Sequence, residues 1–222
     1  MASDVDICNL ALGHLGDSAT VSSINPPEGS AQAEHCARFY PIARDALLEM
    51  HPWGFATRRV QLAQLTSWNF TEWQYCYQQP ADAVNLLTIL PATATDDISV
   101  GIQNYTQQNV SMTNQGVYQP QPYVAETLDD GTEILLTNVP NAVLRYTCLV
   151  TDTNKFSPLF VTAFSWYLAS YLAGPVIKGE VGAAEAKRCY AEFVEVMGRA
   201  TSSDANQRRI QPAMNTPWIA GR

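Results

Sequence analysis

Residues 156–177 read FSPLFVTAFSWYLASYLAGPVI and contain no charged side chain, although Lys155 and Lys178 flank them. Ser157-Pro158 is typical of an N-cap followed by a proline in the first helical turn, and Gly174-Pro175 predicts the end of the helix. The about 16 residues between these signals span roughly 24 Å as a helix, which is short of a ~30 Å hydrocarbon core. The stretch therefore predicts a central helix buried on most sides of a helical bundle, with a membrane-spanning helix as the alternative.

Helical patterns also lie towards both ends of the chain. Residues 3–15 begin with Ser3 as an N-cap, have acids in the first turn and place apolar residues on one face. Residues 30–51 continue a helical stripe, in which Pro41 predicts a kink or two abutting helices. Residues 183–202 form a further amphipathic pattern after the central helix.

The middle of the chain has a different period. In residues 58–65 apolar and polar side chains alternate, and in residues 73–77 every second side chain is aromatic, as in a strand with one buried face. Residues 143–150 predict a further strand. Between two extended stretches, the sequence DDGT at residues 129–132 is typical of a hairpin turn. The region from 60 to 150 is therefore predicted to be rich in β-structure.

These patterns together predict an α+β fold. The helical bundle comprises residues 1–59 and 151–205, the central antiparallel β-rich insertion comprises residues 60–150, and an extended C-terminal arm comprises residues 206–222.

Charge is distributed unevenly along the 222 residues, whose net formal charge is −8. Residues 60–144 contain no Lys or Arg and eight acids, while residues 1–59 carry a net −3 and residues 145–222 a net +3. Tight binding of nucleic acid needs clustered basic residues that displace counterions from phosphate. The first two segments therefore exclude a nucleic-acid-binding surface of the usual kind. The eight acids are Glu72, Asp82, Asp96, Asp97, Glu126, Asp129, Asp130 and Glu133.

Catalytic and metal-binding signatures are missing from the sequence. The five cysteines are widely spaced without a C-x-x-C pair, which favours free thiols in a reducing compartment. The three histidines are isolated, and residues 174–179 lack the Lys-Ser/Thr that completes a phosphate-binding loop. We therefore expect no enzyme activity, no metal ion and no cofactor.

One alternative class is a carbohydrate-active enzyme or a carbohydrate-binding tail component. Sugars stack on aromatic rings, and two carboxyl groups suffice for glycoside hydrolysis. Aromatic residues that alternate along a strand, however, more often form the core face of a sheet. The set that this alternative requires is Trp68, Trp73, Tyr75 and Tyr77, with Glu72 or Asp82 as the acid.

The C-terminal arm carries spaced apolar residues between prolines and arginines. A short segment interrupted by proline cannot bury such residues on itself, so it either stays disordered or binds a groove on a partner. As a partner-binding segment, its contact residues are predicted to be Arg208, Arg209, Ile210, Trp218, Ile219 and Arg222.

Five stretches of the sequence, in this order, resemble the head–tail adaptor proteins of short-tailed bacteriophages, the tail tubular protein A family. The stretches are ICNLALGHLGD at 7–17, FYPIARDALLEMHPWGFATRRVQLA at 39–63, WQYCYQQPAD at 73–82, DTNKFSPLFVTAFSWYLASYLAGPVI at 152–177 and PWIAGR at 217–222. They consist of core and turn residues and include no catalytic signature, and residues 96–125 show no matching pattern.

The resemblance implies a structural protein of the virion at the junction of head and tail, made in the cytoplasm of the bacterial host. It implies a ring of twelve subunits that binds the portal protein, through the arm, and the tail nozzle, a tail tubular protein B-like protein. Double-stranded DNA passes through the lumen of such a ring without specific binding, and no membrane is involved.

The absence of bases from residues 60–144 suits a DNA conduit, because each Lys or Arg on the wall adds a phosphate contact that retards passage. We therefore predict that Asp96, Asp97, Asp129 and Asp130 include residues that face the lumen or the nozzle. The alternative is that these acids are solvated turn residues.

Overall fold

The structure is a computed structural model that describes residues 2–18, 20–66, 71–92 and 121–207. The described chain forms two compact units: a helical unit from Met1–Thr57 and Thr147–Gln207, and a β unit within Arg58–Tyr146. The divisions predicted from the sequence lie after residues 59 and 150. The predicted α+β class is confirmed, since the described residues form four α-helices and two antiparallel three-stranded sheets.

The helical unit contains α1 (Asp4–His14), α2 (Ala31–Met50), α3 (Pro158–Ile177) and α4 (Gly179–Asn206). Serines cap three of these helices. Ser3 and Asp6 form a reciprocal capping box at α1, Ser30 accepts from the Ala33 backbone N–H, and Ser157 accepts from the Phe160 backbone N–H. Each cap satisfies a backbone donor that the first turn leaves without a partner, so the helix starts follow from local sequence.

Helix α3 is the centre of the helical unit and packs against each of the other three helices. Its rings form a chain of edge and tilted contacts, in which Phe160 lies 4.9 Å from Trp53 and 6.0 Å from Phe164 between ring centroids. The Trp53 indole N–H donates to the Leu47 carbonyl oxygen at 2.8 Å, which satisfies the only polar group of that buried ring. The predicted central helix is therefore confirmed as a core helix.

By length and composition, α3 is the one helix of the described residues that qualifies as a candidate membrane span. Half of the most apolar 18-residue stretch of α3 is buried inside the protein. The core helix of a soluble protein can have the same length and composition.

The predicted end of α3 before Gly174 was wrong, and so was the alternative of two abutting helices at Pro41, while a kink at Pro41 stays a prediction. A single helix, α2, continues through Pro41, and α3 continues through Pro175 to Ile177 instead of ending before Gly174. Proline removes one intrahelical hydrogen bond, and tertiary packing of the remaining helix outweighs that loss. The Lys178 backbone N–H donates to the Gly174 carbonyl oxygen at 3.0 Å, and positive φ angles of 63° and 64° at Lys178 and Gly179 reverse the chain into α4.

Helix α4 is longer than the predicted 183–202, because it begins at Gly179 and ends at Asn206. Residue 206, assigned from the sequence to the arm, therefore belongs to this helix. The rest of the predicted arm from residue 208 lies outside the described residues.

The strands form two sheets. One has the order β1 (Thr57–Gln61), β6 (Val143–Cys148) and β3 (Ala83–Leu90), and the other has the order β2 (Tyr75–Gln78), β5 (Glu133–Thr137) and β4 (Tyr123–Thr127). In the second sheet, Cys76 and Leu136 are paired residues of β2 and β5, and Ala125 and Leu135 are paired residues of β4 and β5. Strand β3 was not predicted, because its sequence AVNLLTIL lacks a clear alternation of apolar and polar residues.

Candidate functional site

The turn between β4 and β5 places two of the predicted site residues at the tip of a hairpin. Asp130 accepts a hydrogen bond from the Thr132 backbone N–H at 2.9 Å, and the Gly131 backbone N–H donates to the Leu128 carbonyl oxygen at 2.8 Å. Gly131 has φ +84°, a conformation that glycine adopts without a steric penalty. The predicted hairpin at residues 129–132 is thereby confirmed.

Four exposed carboxylates surround this turn, and we call the segment 123–137 the acidic hairpin. The backbone N–H of Thr132 lowers the pKa of Asp130, because a hydrogen bond to the carboxylate favours its charged form. Gln79 donates from its side-chain nitrogen to Glu133 at 2.7 Å. The acidic hairpin is therefore a negatively charged surface at neutral pH. Its carboxylates belong to Glu126, Asp129, Asp130 and Glu133.

Strand β4 is an edge of its sheet and, among the described strands, pairs with β5 alone. Val124, Ala125, Glu126 and Thr127 are all exposed. Charged side chains on an exposed edge strand discourage it from pairing with a strand of another chain, and Glu126 supplies such a charge here. The exposed edge of β4 therefore carries a negative charge that disfavours pairing with another strand.

The acidic hairpin contributes two residues to a buried apolar cluster of its sheet. Ile134 and Leu136 of β5 pack with Cys76 of β2 and are fully or almost fully buried. Leu65, Trp73 and Leu128 pack against this cluster at its margin. Because Leu128 belongs to the turn itself, the tip is joined directly to the core of the sheet.

The remaining predicted site residues are not described by the structure. Asp96 and Asp97 lie outside the described residues, as do the arm residues Arg208, Arg209, Ile210, Trp218, Ile219 and Arg222. Of the predicted acids, the structure describes Asp129 and Asp130, and it places both at the exposed tip of one hairpin. Whether they face a lumen or a nozzle stays a prediction.

The structure describes three of the four aromatic residues of the carbohydrate alternative, and one of the three lies in the sheet core. Tyr77 is fully buried, and its hydroxyl donates to the Val139 carbonyl oxygen at 2.8 Å. Trp73 and Tyr75 are half-buried, while Trp68 lies outside the described residues.

The two acids of that alternative lie in different surroundings. Asp82 accepts from Arg58 and from the Tyr146 hydroxyl, each at 3.0 Å, while Glu72 is exposed. These contacts give Asp82 a structural role in the β unit.

The sequence did not predict a cavity that the structure shows in the helical unit. The cavity brings together Asp4, Tyr40 and Asp152, which are far apart in the chain. No local pattern links these positions, because only the packing of three separate segments makes them neighbours.

In the part of the chain that the structure describes, no group of three or more His, Cys, Asp and Glu residues is arranged to hold a metal ion. The five cysteines are described as free thiols and are all buried. No protein-family model matches the chain, and no curated protein matches it significantly.

Proposed function

We propose that this protein is a structural head-to-tail adaptor of a short-tailed bacteriophage virion. It forms a ring of twelve subunits that joins the portal protein to the tail nozzle, and double-stranded DNA passes through its lumen. It acts without enzyme activity, at the head–tail junction of particles assembled in the bacterial cytoplasm.

The observation that carries this proposal is the acidic hairpin within a segment that has no basic residue. Glu126, Asp129, Asp130 and Glu133 are exposed on a hairpin that packs on an apolar cluster, and residues 60–144 contain no Lys or Arg. A surface of this charge repels phosphate and lets DNA slide past, as a conduit requires.

The resemblance to the adaptor family provides further support. Its matched stretches at 7–17, 39–63, 73–82 and 152–177 contain most of α1, the second half of α2, and all of β1, β2 and α3. These elements include the centre of the helical unit, so the resemblance concerns the residues that determine the architecture.

Electron microscopy of the purified protein with its cognate portal protein tests the proposal. We expect a twelvefold ring beneath the portal. A chain truncated after Gln207, where α4 has ended, retains the fold but fails to bind the portal, because it lacks Arg208, Arg209 and Trp218. A complex with other symmetry, or equal binding by the truncated chain, contradicts the ring or the role of the arm respectively.

A further inference from the structure

Helix α4 carries two rows of mostly apolar residues, and one of them is left at the surface. The inner row is buried and consists of Gly182, Cys189, Phe193, Val196 and Ala200. The second row is exposed or half-buried and recurs at alternating intervals of four and three residues. Such a spacing forms one stripe along a helix and is the pattern by which helices pack side by side. We call this row the outer seam, and its members are Ala183, Lys187, Tyr190, Val194, Met197 and Thr201.

Tyr190 and Val194 form the centre of the outer seam. They lie one helical turn apart and are 51% and 54% exposed. The ring of Tyr190 also packs on Tyr167 and Phe193, with centroid distances of 6.4 and 5.7 Å, so the core holds this ring in place. Tyrosine is enriched at the centres of protein interfaces, and an anchor that is already positioned loses little entropy on binding. The outer seam therefore has the properties of a docking surface.

Helix α1 carries a groove whose shape is complementary to this seam. The groove has a volume of about 570 Å³, and its apolar side chain Leu10 is 46% exposed. Its small residues leave room for large side chains, and a Cβ atom at Gly13 meets no described atom within 4 Å. We call it the α1 groove, and its lining residues are Ala2, Asp6, Asn9, Leu10, Gly13 and His14.

The two surfaces also have opposite charges. Lys187 is the one charged residue of the outer seam and is exposed. In the α1 groove, hydrogen bonds from Ser3 lower the pKa of Asp6, so this carboxylate is ionised at neutral pH. Burial lowers the pKa of His14, so the histidine adds no positive charge there at neutral pH. Opposite charges favour contact between a seam and a groove, whereas two seams in contact bring together surfaces of the same sign.

The outer seam faces away from the α1 groove of its own chain. Arg188 of α4 donates to the His14 carbonyl oxygen at 2.9 Å, which places the end of α1 beside Arg188. Arg188 and Tyr190 are two residues apart and therefore differ by about 200° around the helix axis. The groove that the seam fits thus belongs to another copy of the chain.

We propose that the outer seam of α4 in one copy docks on the α1 groove of a second copy. This contact joins two different surfaces, so each copy keeps one surface open for the next copy, as the subunits of a ring do. Its assignment as the contact between neighbouring subunits of the ring rests on the proposed adaptor function.

Sedimentation velocity of the full-length protein, without portal protein, tests the contact. From about 10 µM to about 1 mM, a range that covers weak specific association, we expect the average mass to rise with concentration. Val194→Glu and Leu10→Glu each weaken this association at least tenfold, because each puts a charge into the apolar part of the contact. The matched control is Val181→Glu, at a 70% exposed position on the other side of α4, which leaves association unchanged.

Thermal unfolding of the three variants separates lost association from lost folding. All three positions are exposed, so we expect each variant to unfold at about the temperature of the native protein. An equimolar mixture of Val194→Glu and Leu10→Glu forms a species of two chains and nothing larger. The intact seam of one variant fits the intact groove of the other, and the two remaining surfaces are blocked.

A native protein that stays monomeric over the whole concentration range overturns the proposal. So does association that Val194→Glu and Leu10→Glu leave unchanged, or a mixture of the two variants that stays monomeric. A twelvefold ring on the portal that Val194→Glu forms equally well overturns this contact but supports the adaptor function. Association with the expected variant effects, in a protein that does not bind a portal, supports the contact and contradicts the adaptor function.

Discussion

Asp204 ties the end of α4 to the turn that follows α2. Asp204 is 9% exposed, its two carboxylate oxygens accept from the Gly54 backbone N–H at 3.0 and 3.1 Å, and the His51 ring nitrogen lies 3.2 Å away. The sequence offers no sign of this contact, because residues 54 and 204 are separated by most of the chain. An isolated buried carboxylate is costly in free energy, and the hydrogen bonds to Asp204 offset that cost. We therefore assign this carboxylate a structural role.

Replacing Asp204 with alanine leaves the Gly54 N–H buried without an acceptor. We expect Asp204→Ala to lower the free energy of unfolding by about 1–3 kcal/mol, measured from urea denaturation. The matched control is Ser203→Ala, at the neighbouring exposed position, which changes it by less than about 0.5 kcal/mol. Equal stability of the two variants contradicts the structural role of the carboxylate.

We expect the stability of the protein to depend on pH through His14. Its ring stacks on Trp166 with centroids 3.6 Å apart, and its Nε2 lies 3.0 Å from the Ser165 hydroxyl. Burial lowers the pKa of His14, and the guanidinium of Arg188 lowers it further. Because the unfolded chain then binds the proton more readily, stability is lost as pH falls below the ordinary histidine value of about 6.5 and through the folded-state pKa.

The variant His14→Gln cannot gain this proton. We expect its unfolding free energy to decline less than that of the native protein between pH 7.5 and pH 5.5, measured by urea denaturation at both pH values. Comparison at pH 7.5 accounts for the loss of ring stacking. If the unfolding free energies of the two proteins depend on pH identically, His14 is not the group whose protonation destabilises the fold.

At the scale of elements, a glycine sets how closely α4 approaches α3. A Cβ atom at Gly182 comes within 3.0 Å of the Ala173 carbonyl oxygen, which is backbone and therefore cannot move aside cheaply. Gly198 lies on the same helix with nothing within 4 Å of its Cβ position. The two glycines therefore form a matched pair in which only the surroundings differ.

We expect Gly182→Ala to destabilise the protein by about 1–3 kcal/mol through overpacking. Gly198→Ala raises helix propensity at an exposed position and stabilises it by about 0.5–1 kcal/mol. Thermal unfolding of both variants measures the difference, and a stabilising Gly182→Ala contradicts the close approach of the two helices.

At the scale of the whole molecule, the charge distribution predicts how the protein behaves towards DNA. We expect no binding of a 20-base-pair duplex at about 150 mM salt by fluorescence anisotropy, because the acidic hairpin offers no phosphate contact. The triple variant Glu126→Lys, Asp129→Lys and Asp130→Lys gains an affinity that falls steeply with salt concentration. Tight binding by the native protein contradicts the conduit proposal, and the matched control replaces the same three residues with Gln or Asn.

Much of the architecture was predictable because it depends on local chemistry. Ser3 and Ser157 begin helices through their own hydroxyls, and Gly131 follows two aspartates in a turn that tolerates few other residues. The burial of α3 followed from 22 residues without a charge. Each of these features is determined by residues within a few positions of one another.

The tertiary structure decided what depends on distant residues. Packing carries α3 past Pro175, brings Asp204 to Gly54, and places Asp4, Tyr40 and Asp152 around one cavity. A local pattern reports the preference of one segment, whereas these outcomes depend on the free energy of contacts between segments. The sequence alone therefore determined the α+β class, the caps and the charge pattern of this protein, and the folded chain decided where its buried polar groups meet.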